Sequence, residues 1–193
     1  MKVTAQHLEN IAQAQRFYES RGFKNVDVEW EAPKPYIDAT IPPEVSPPLH
    51  NMVGSGEQSM LAKFDPNWER HKDGKFQCVT PCFRPSDRER SEYHLGEFLK
   101  LELMMIPDGK PAFAELWAYV VSPAIRFTES ARPSTKARWV KTSGSSWDIL
   151  GYKNGAWIEI GSYGWRTAQL PFGLRTWYYG TGIAEPRFSQ VFL

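Results

Sequence analysis

After Thr4, which suits an N-cap, Leu8, Ile11, Ala12, Gln15 and Tyr18 recur at helical spacing, and Gly22 follows Arg21 as a stop. This predicts a helix over residues 5–21. Phe23 to Trp30 then alternates, with Val26 and Val28 on one face, so the chain is expected to pass from helix into strand with almost no linker. Pro33, Pro35, Pro42, Pro43, Pro47 and Pro48 crowd the next stretch, which reads as extended and irregular because proline has no amide to give to a ladder. Ser55, Gly56, Glu57 and Gln58 form a capping box at the head of a short helix through Met60 and Leu61.

Further on, Lys75 to Phe83 and Phe98 to Ile106 read as strands joined by the polar loop Asp87 to Tyr93. Phe113, Leu116, Trp117, Val120, Ala124 and Phe127 fit a helical stripe starting at Pro111, which Pro123 should bend or end. Trp147 to Tyr152 and Ala156 to Tyr163 flank Asn154-Gly155, a hairpin signal, then Thr176 to Ile183 is strand-like and Pro186 opens a last helix. The sum is an antiparallel sheet flanked by helices, one α+β domain over residues 1–193.

Composition narrows the function classes. With 193 residues there is little room for a second domain, and 23 Lys and Arg against 22 Asp and Glu leave a net charge of +1. That balance excludes broad phosphate-backbone binding, so any nucleic-acid contact must be local. The longest apolar run, Leu116 to Val121, falls far short of the roughly 18 residues of a membrane span. Cys78 and Cys82 lie four apart on a predicted strand, where a separation of roughly 13 Å excludes a mutual disulfide. A reducing, cytoplasmic setting is the expectation.

Phosphate-loop and H-E-x-x-H motifs are missing, the four His and two Cys lack zinc spacing, and Gly180-Thr181-Gly182 has no βαβ unit behind it. What remains is a pattern of arginines. Arg84 follows an apolar strand, His94 ends a charged loop, Phe98 and Glu102 follow at steps of four, and Arg187 stands behind a glycine strand. Each arginine taken singly is an ordinary surface or ion-pair residue. Together they supply planar, permanently charged forks that suit phosphate oxygens and stack on purines.

At these residues the sequence resembles the catalytic core of class II aminoacyl-tRNA synthetases. Phe83-Arg84, the loop and His94-Leu95-Gly96-Glu97-Phe98-Leu99-Lys100-Leu101-Glu102 resemble the second motif of that family. Gly180-Thr181-Gly182-Ile183-Ala184-Glu185-Pro186-Arg187-Phe188 resembles the third, and Arg16 to Pro33 more distantly the first, dimer-forming motif. Ser86 stands where the second motif usually has glutamate, and Ala184 replaces the last glycine of the third.

The resemblance implies ATP-dependent activation of an amino acid or similar carboxylate as an adenylate, with transfer to a tRNA or non-tRNA acceptor. Arg84 would grip the ATP α-phosphate and the substrate carboxylate. Arg187 would stack on adenine and reach the γ-phosphate, with Phe98 on the other face of the base. His94, as a hydrogen-bonding anchor, and Glu102 complete the implied ATP site, and Glu159 and Ser162 would ligate Mg2+. Ser55, Glu57 and Gln58 would line the substrate pocket, with Glu57 partnering an ammonium. The resemblance also implies a homodimer. With no residues left for an anticodon-binding domain, tRNA is expected to bind weakly at most. Ser86 and the short segment after Arg187 open an alternative, a catalytically silent synthetase paralogue acting as a binding or regulatory protein.

Overall fold

The computed structural model describes residues 3–41, 51–85, 92–93, 95–133 and 136–192. Helix α1 (Ala5–Glu19) begins where expected: Thr4 Oγ1 accepts from the His7 amide at 3.3 Å, and His7 Nδ1 accepts from the Thr4 amide at 3.2 Å. It ends before Gly22, whose φ of +87° turns the chain in a conformation open to glycine.

The expected strand at 23–30 shrinks to β1 (Lys24–Asn25), paired parallel to β2 (Lys75–Phe83). Beyond it, side chains of α3 (Gly56–Phe64) replace a strand partner: Ser59 Oγ donates to Glu29 O at 2.6 Å and Lys63 Nζ to Asp27 O at 2.9 Å. The proline stretch likewise departs from the extended reading. Pro33 and Pro35 head a short helix α2 (Lys34–Asp38), in whose first turn a missing amide costs nothing. Pro42, Pro43, Pro47 and Pro48 lie outside the described residues.

β2 and β3 (Glu97–Met105) match their predicted spans almost residue for residue. The expected helix after Pro111 is three pieces in one run: α4 (Phe113–Leu116), a π-helical turn (Trp117–Val121) and α5 (Ser122–Ala131). The Ser122 amide reaches back to Trp117 O, and the wider turn comes just before Pro123, which has no amide to continue the ladder.

Strand β4 (Ala137–Ser143), which the sequence pattern does not announce, pairs with β5 (Ser146–Lys153). β6 (Ala156–Leu170) and β7 (Gly173–Glu185) run well past the predicted ends, and α6 (Arg187–Phe192) closes the described chain. Asn154 and Gly155 both take positive φ in the predicted hairpin between β5 and β6.

The seven strands form one sheet in the order β1-β2-β3-β7-β6-β5-β4, antiparallel except at β1. Alternation divides β3 between two cores. Leu101, Leu103 and Met105 join Ile11, Ala14 and Tyr18 of α1 and Ala124 and Phe127 of α5. Met104 joins Met60, Leu61 and Phe64 of α3 with Trp177 and Tyr179 on the other face. Large aromatic surfaces dominate both cores. Phe98, Lys100 and Glu102 share the α3 face by the same two-residue period.

Candidate active site

On the α3 face, Ser55, Glu57, Arg84, Phe98, Glu159, Ser162 and Arg187 help wall one cavity of about 210 Å³. These residues come from a helix start, strands β3 and β6, the end of β2 and the head of α6. Arg84 follows β2 directly, and its Nε donates to Gly54 O at 2.7 Å, tying it to the loop before α3. Arg187 Nε donates to Tyr93 O at 3.0 Å, and its Nη1 to Glu159 Oε1 at 3.4 Å. Both guanidinium carbons face the Phe98 ring, at 5.5 Å for Arg84 and 6.0 Å for Arg187. Two residues more than a hundred positions apart thus frame one aromatic ring.

The loop before α3 reads differently from a reciprocal capping box. Ser55 Oγ accepts from the Glu57 amide at 3.4 Å, while Gln58 Oε1 accepts from the Gly54 amide at 2.9 Å rather than from Ser55. Gln58 Nε2 donates to Thr40 Oγ1 at 2.8 Å, and the side chain is fully buried outside the cavity lining. The Ser55 hydroxyl is bound in turn by Glu102, which sits behind the wall. Glu102 Oε2 also accepts from Lys100 Nζ at 2.8 Å, and among the described residues its buried Oε1 has no partner. An unfilled acceptor beside a cavity is a place for water or a ligand donor.

Glu57 is committed on both oxygens. Arg166 Nη1 donates to Oε2 at 2.7 Å and Trp177 Nε1 to Oε1 at 2.6 Å, with Arg166 stacked 4.3 Å from the Tyr179 ring. Here the carboxylate serves first to fix Arg166, which itself lines the cavity. Opposite, Asp148 on β5 faces Ser162 on β6 and lies close to Glu159 and Arg187. Burial and the Glu159 charge push the Asp148 carboxyl up to about 6, against the pull of the Ser162 hydroxyl and Arg187. Two carboxylates and a hydroxyl are hard oxygen donors that fit Mg2+. Among the described residues no group of three His, Cys, Asp or Glu side chains is placed to hold a metal by itself.

The carboxylate of Glu185 fixes the head of α6, accepting from Asn10 Nδ2 at 2.6 Å, Ser189 Oγ at 2.9 Å and the Ser189 amide at 3.1 Å. His94, Ser86 and most of the loop expected over the nucleotide lie outside the described residues. Sequence reasoning did not single out Arg166, Lys100, Asp148, Tyr179 or Thr181. Two of these carried a signal: Lys100 lies midway between Phe98 and Glu102 on one strand face, and Arg166 follows Ser162 at even spacing.

No protein-family model matches the sequence, and no curated protein does. Solved structures match over nearly the whole chain. The cytoplasmic serine-tRNA ligase of Naegleria fowleri, solved in complex with AMP, superposes with a TM-score of 0.69 at 13% identity, covering 93% of this chain and 51% of that one. The seryl-tRNA synthetase of Pyrococcus horikoshii, complexed with ATP, gives 0.70 at 15%, covering 95% and 49%. PylSc, a pyrrolysyl tRNA synthetase of Desulfitobacterium hafniense, gives 0.69 at 16%, covering 97% and 68%. The chain therefore has the fold of class II aminoacyl-tRNA synthetase catalytic domains, and it spans about half the length of the seryl enzymes.

Proposed function

We propose that the protein activates a carboxylate, with an amino acid as the first class to test, by ATP-dependent formation of an adenylate and release of pyrophosphate. The supporting observation is the convergence of Arg84, Phe98, Glu159, Ser162 and Arg187, drawn from separate sequence motifs, on one cavity. The reaction develops negative charge on the α-phosphate as the carboxylate attacks, and in this reading Arg84 stabilises it. Arg187, steadied by Tyr93 O and by the head of α6, reaches the terminal phosphates and packs the adenine toward Phe98. When bound, Mg2+ would supply charge neutralisation on the phosphates, with Glu159 and Ser162 holding it. No general base is needed, because a carboxylate is already ionised at neutral pH. Ser55 and Lys100 line the pocket on the substrate side, with Glu102 behind them, and His94 belongs to the ATP site in this reading.

Pyrophosphate exchange into ATP, across the twenty amino acids and a panel of other carboxylic acids with Mg2+, tests this. Exchange is expected with a restricted set of acids. Arg84→Ala and Arg187→Ala should each lower it on the order of 100-fold or more while the fold persists. A second reading, a silent paralogue that binds without catalysis, draws on the commitment of Glu57 to Arg166 and Trp177. ATP binding by the wild type without exchange for any acid would select it. Transfer of the activated acid to tRNA or to another acceptor is read by charging assays with total tRNA, in which weak engagement at physiological salt is expected from the net charge of +1.

A further inference from the structure

Across the sheet from the candidate active site, a larger cavity of about 480 Å³ opens between Arg21 after α1, Lys75 at the start of β2 and the helical run from Trp117 to Arg126. Three of its lining residues are cations, Arg21, Lys75 and Arg126, and two, Trp117 and Tyr119, are aromatic. Lys75 leaves β2 on the face opposite Phe76 and Cys78, which pack under α3, so this groove and the Arg84–Arg187 cavity lie on different faces.

Among the described residues none of the three cations pairs with a carboxylate. Arg21 Nη1 donates to Phe17 O at 2.9 Å and Ser20 Oγ at 3.0 Å, with its guanidinium carbon 3.5 Å over the Phe17 ring. The Lys75 ammonium lies 3.9 Å over the Tyr119 ring, and burial lowers its pKa with no acidic group to offset it. Arg126 is exposed. Asp73 and Glu115 border an adjoining hollow that shares Lys75 and Tyr119, yet neither reaches ion-pair distance of Lys75, and Glu115 accepts from the Tyr178 hydroxyl at 2.5 Å.

Three like charges on one concave wall repel one another, and an anion bound among them removes that repulsion. Flat aromatic walls beside the cations add a surface for a planar ring, and the chemistry that presents both is a phosphate joined to a base. We propose that this groove binds a nucleotide unit, its phosphate among Arg21, Lys75 and Arg126 and its base against Trp117 and Tyr119. A free mononucleotide and a nucleotide of a single strand share that chemistry. The site stands on its own residues and does not rest on adenylate formation at the opposite face.

Hydrogen–deuterium exchange of the full chain, with AMP or a single-stranded uridine hexanucleotide as probe, locates binding by segment. Protection of residues 117–126 is expected with at least one probe. AMP alone would identify a free nucleotide as the source, and the hexanucleotide alone a strand. Arg126→Glu alters an exposed side chain and leaves the fold intact. It should weaken that binding at least tenfold and leave pyrophosphate exchange unchanged, and Lys75→Ala should act in the same direction. Three results overturn the inference: neither probe protects 117–126, protection survives both substitutions unchanged, or the segment is protected without a probe in step with protein concentration, which would mean that a second copy of the chain covers it.

Discussion

Asp148 and Glu159 illustrate how neighbouring strands press like charges together at the cavity. Burial and the Glu159 charge hold the Asp148 carboxyl at about 6 in the folded chain, above its ordinary value near 3.8. A raised folded pKa means that the folded state binds the proton more tightly than the unfolded chain does. Asp148 therefore contributes stability below about pH 4 that is lost as pH rises through about 6. The two-unit shift corresponds to at most about 3 kcal/mol, reduced by solvent screening at this half-buried group. Asp148→Asn should accordingly raise the melting temperature at pH 7 and leave it nearly unchanged at pH 4, measured with chelator present. An equal gain at both pH values would show that packing, not charge, sets the difference. Nothing in the sequence marks Asp148, because its environment is made by Ser162 and Glu159 from the next strand. Arg84 and Arg187 were legible because each stands in a motif of several residues. The commitment of Glu57 to Arg166 and Trp177 was not, since those partners lie more than a hundred positions away.

At the scale of elements, period and turn chemistry were legible where an element answers only to itself. β2, β3, α1 and the Asn154-Gly155 hairpin follow from alternation, capping and positive φ. The failures share a cause, a competing partner supplied by the tertiary structure: α3 side chains bond the carbonyls that a longer β1 would have used, and β4 is held by β5 with little burial of its own. The glycines of β7 show the same dependence and give a test. A Cβ at Gly180 would sit 2.5 Å from Val120 Cγ1 and 2.8 Å from Tyr163 Cδ1, between the π turn and β6. Gly180→Ala should thus cost about 1–3 kcal/mol through overpacking. Chemical denaturation should show the loss as a lower midpoint at unchanged slope, whereas Gly155→Ala should lose stability through backbone strain alone, its Cβ meeting open space at φ +85°.

The whole molecule is asymmetric along its sheet, and that asymmetry bears on assembly. One end closes with β4, an edge strand flanked by Lys136 and carrying Arg138 and Lys141, charges of the kind that discourage edge pairing. At the other end lies β1, two residues long, with the stretch that resembles the dimer-forming motif around it. Ile11 and Tyr18 of α1 face inward, and the large apolar side chains that α1 and the stretch after it leave open are Leu8 and Trp30, 55% and 57% exposed. Large apolar side chains this open are costly to leave in water. A twofold homodimer that buries Leu8 and Trp30 is therefore the expected assembly. Light scattering at micromolar concentration should give about twice the 22.2 kDa of one chain. The paired substitution Leu8→Asp and Trp30→Asp should return the mass to that of one chain without lowering the melting temperature of the isolated fold, because neither side chain belongs to its cores. A wild-type mass of one chain, or a dimer that survives the double substitution, would remove Leu8 and Trp30 as the interface.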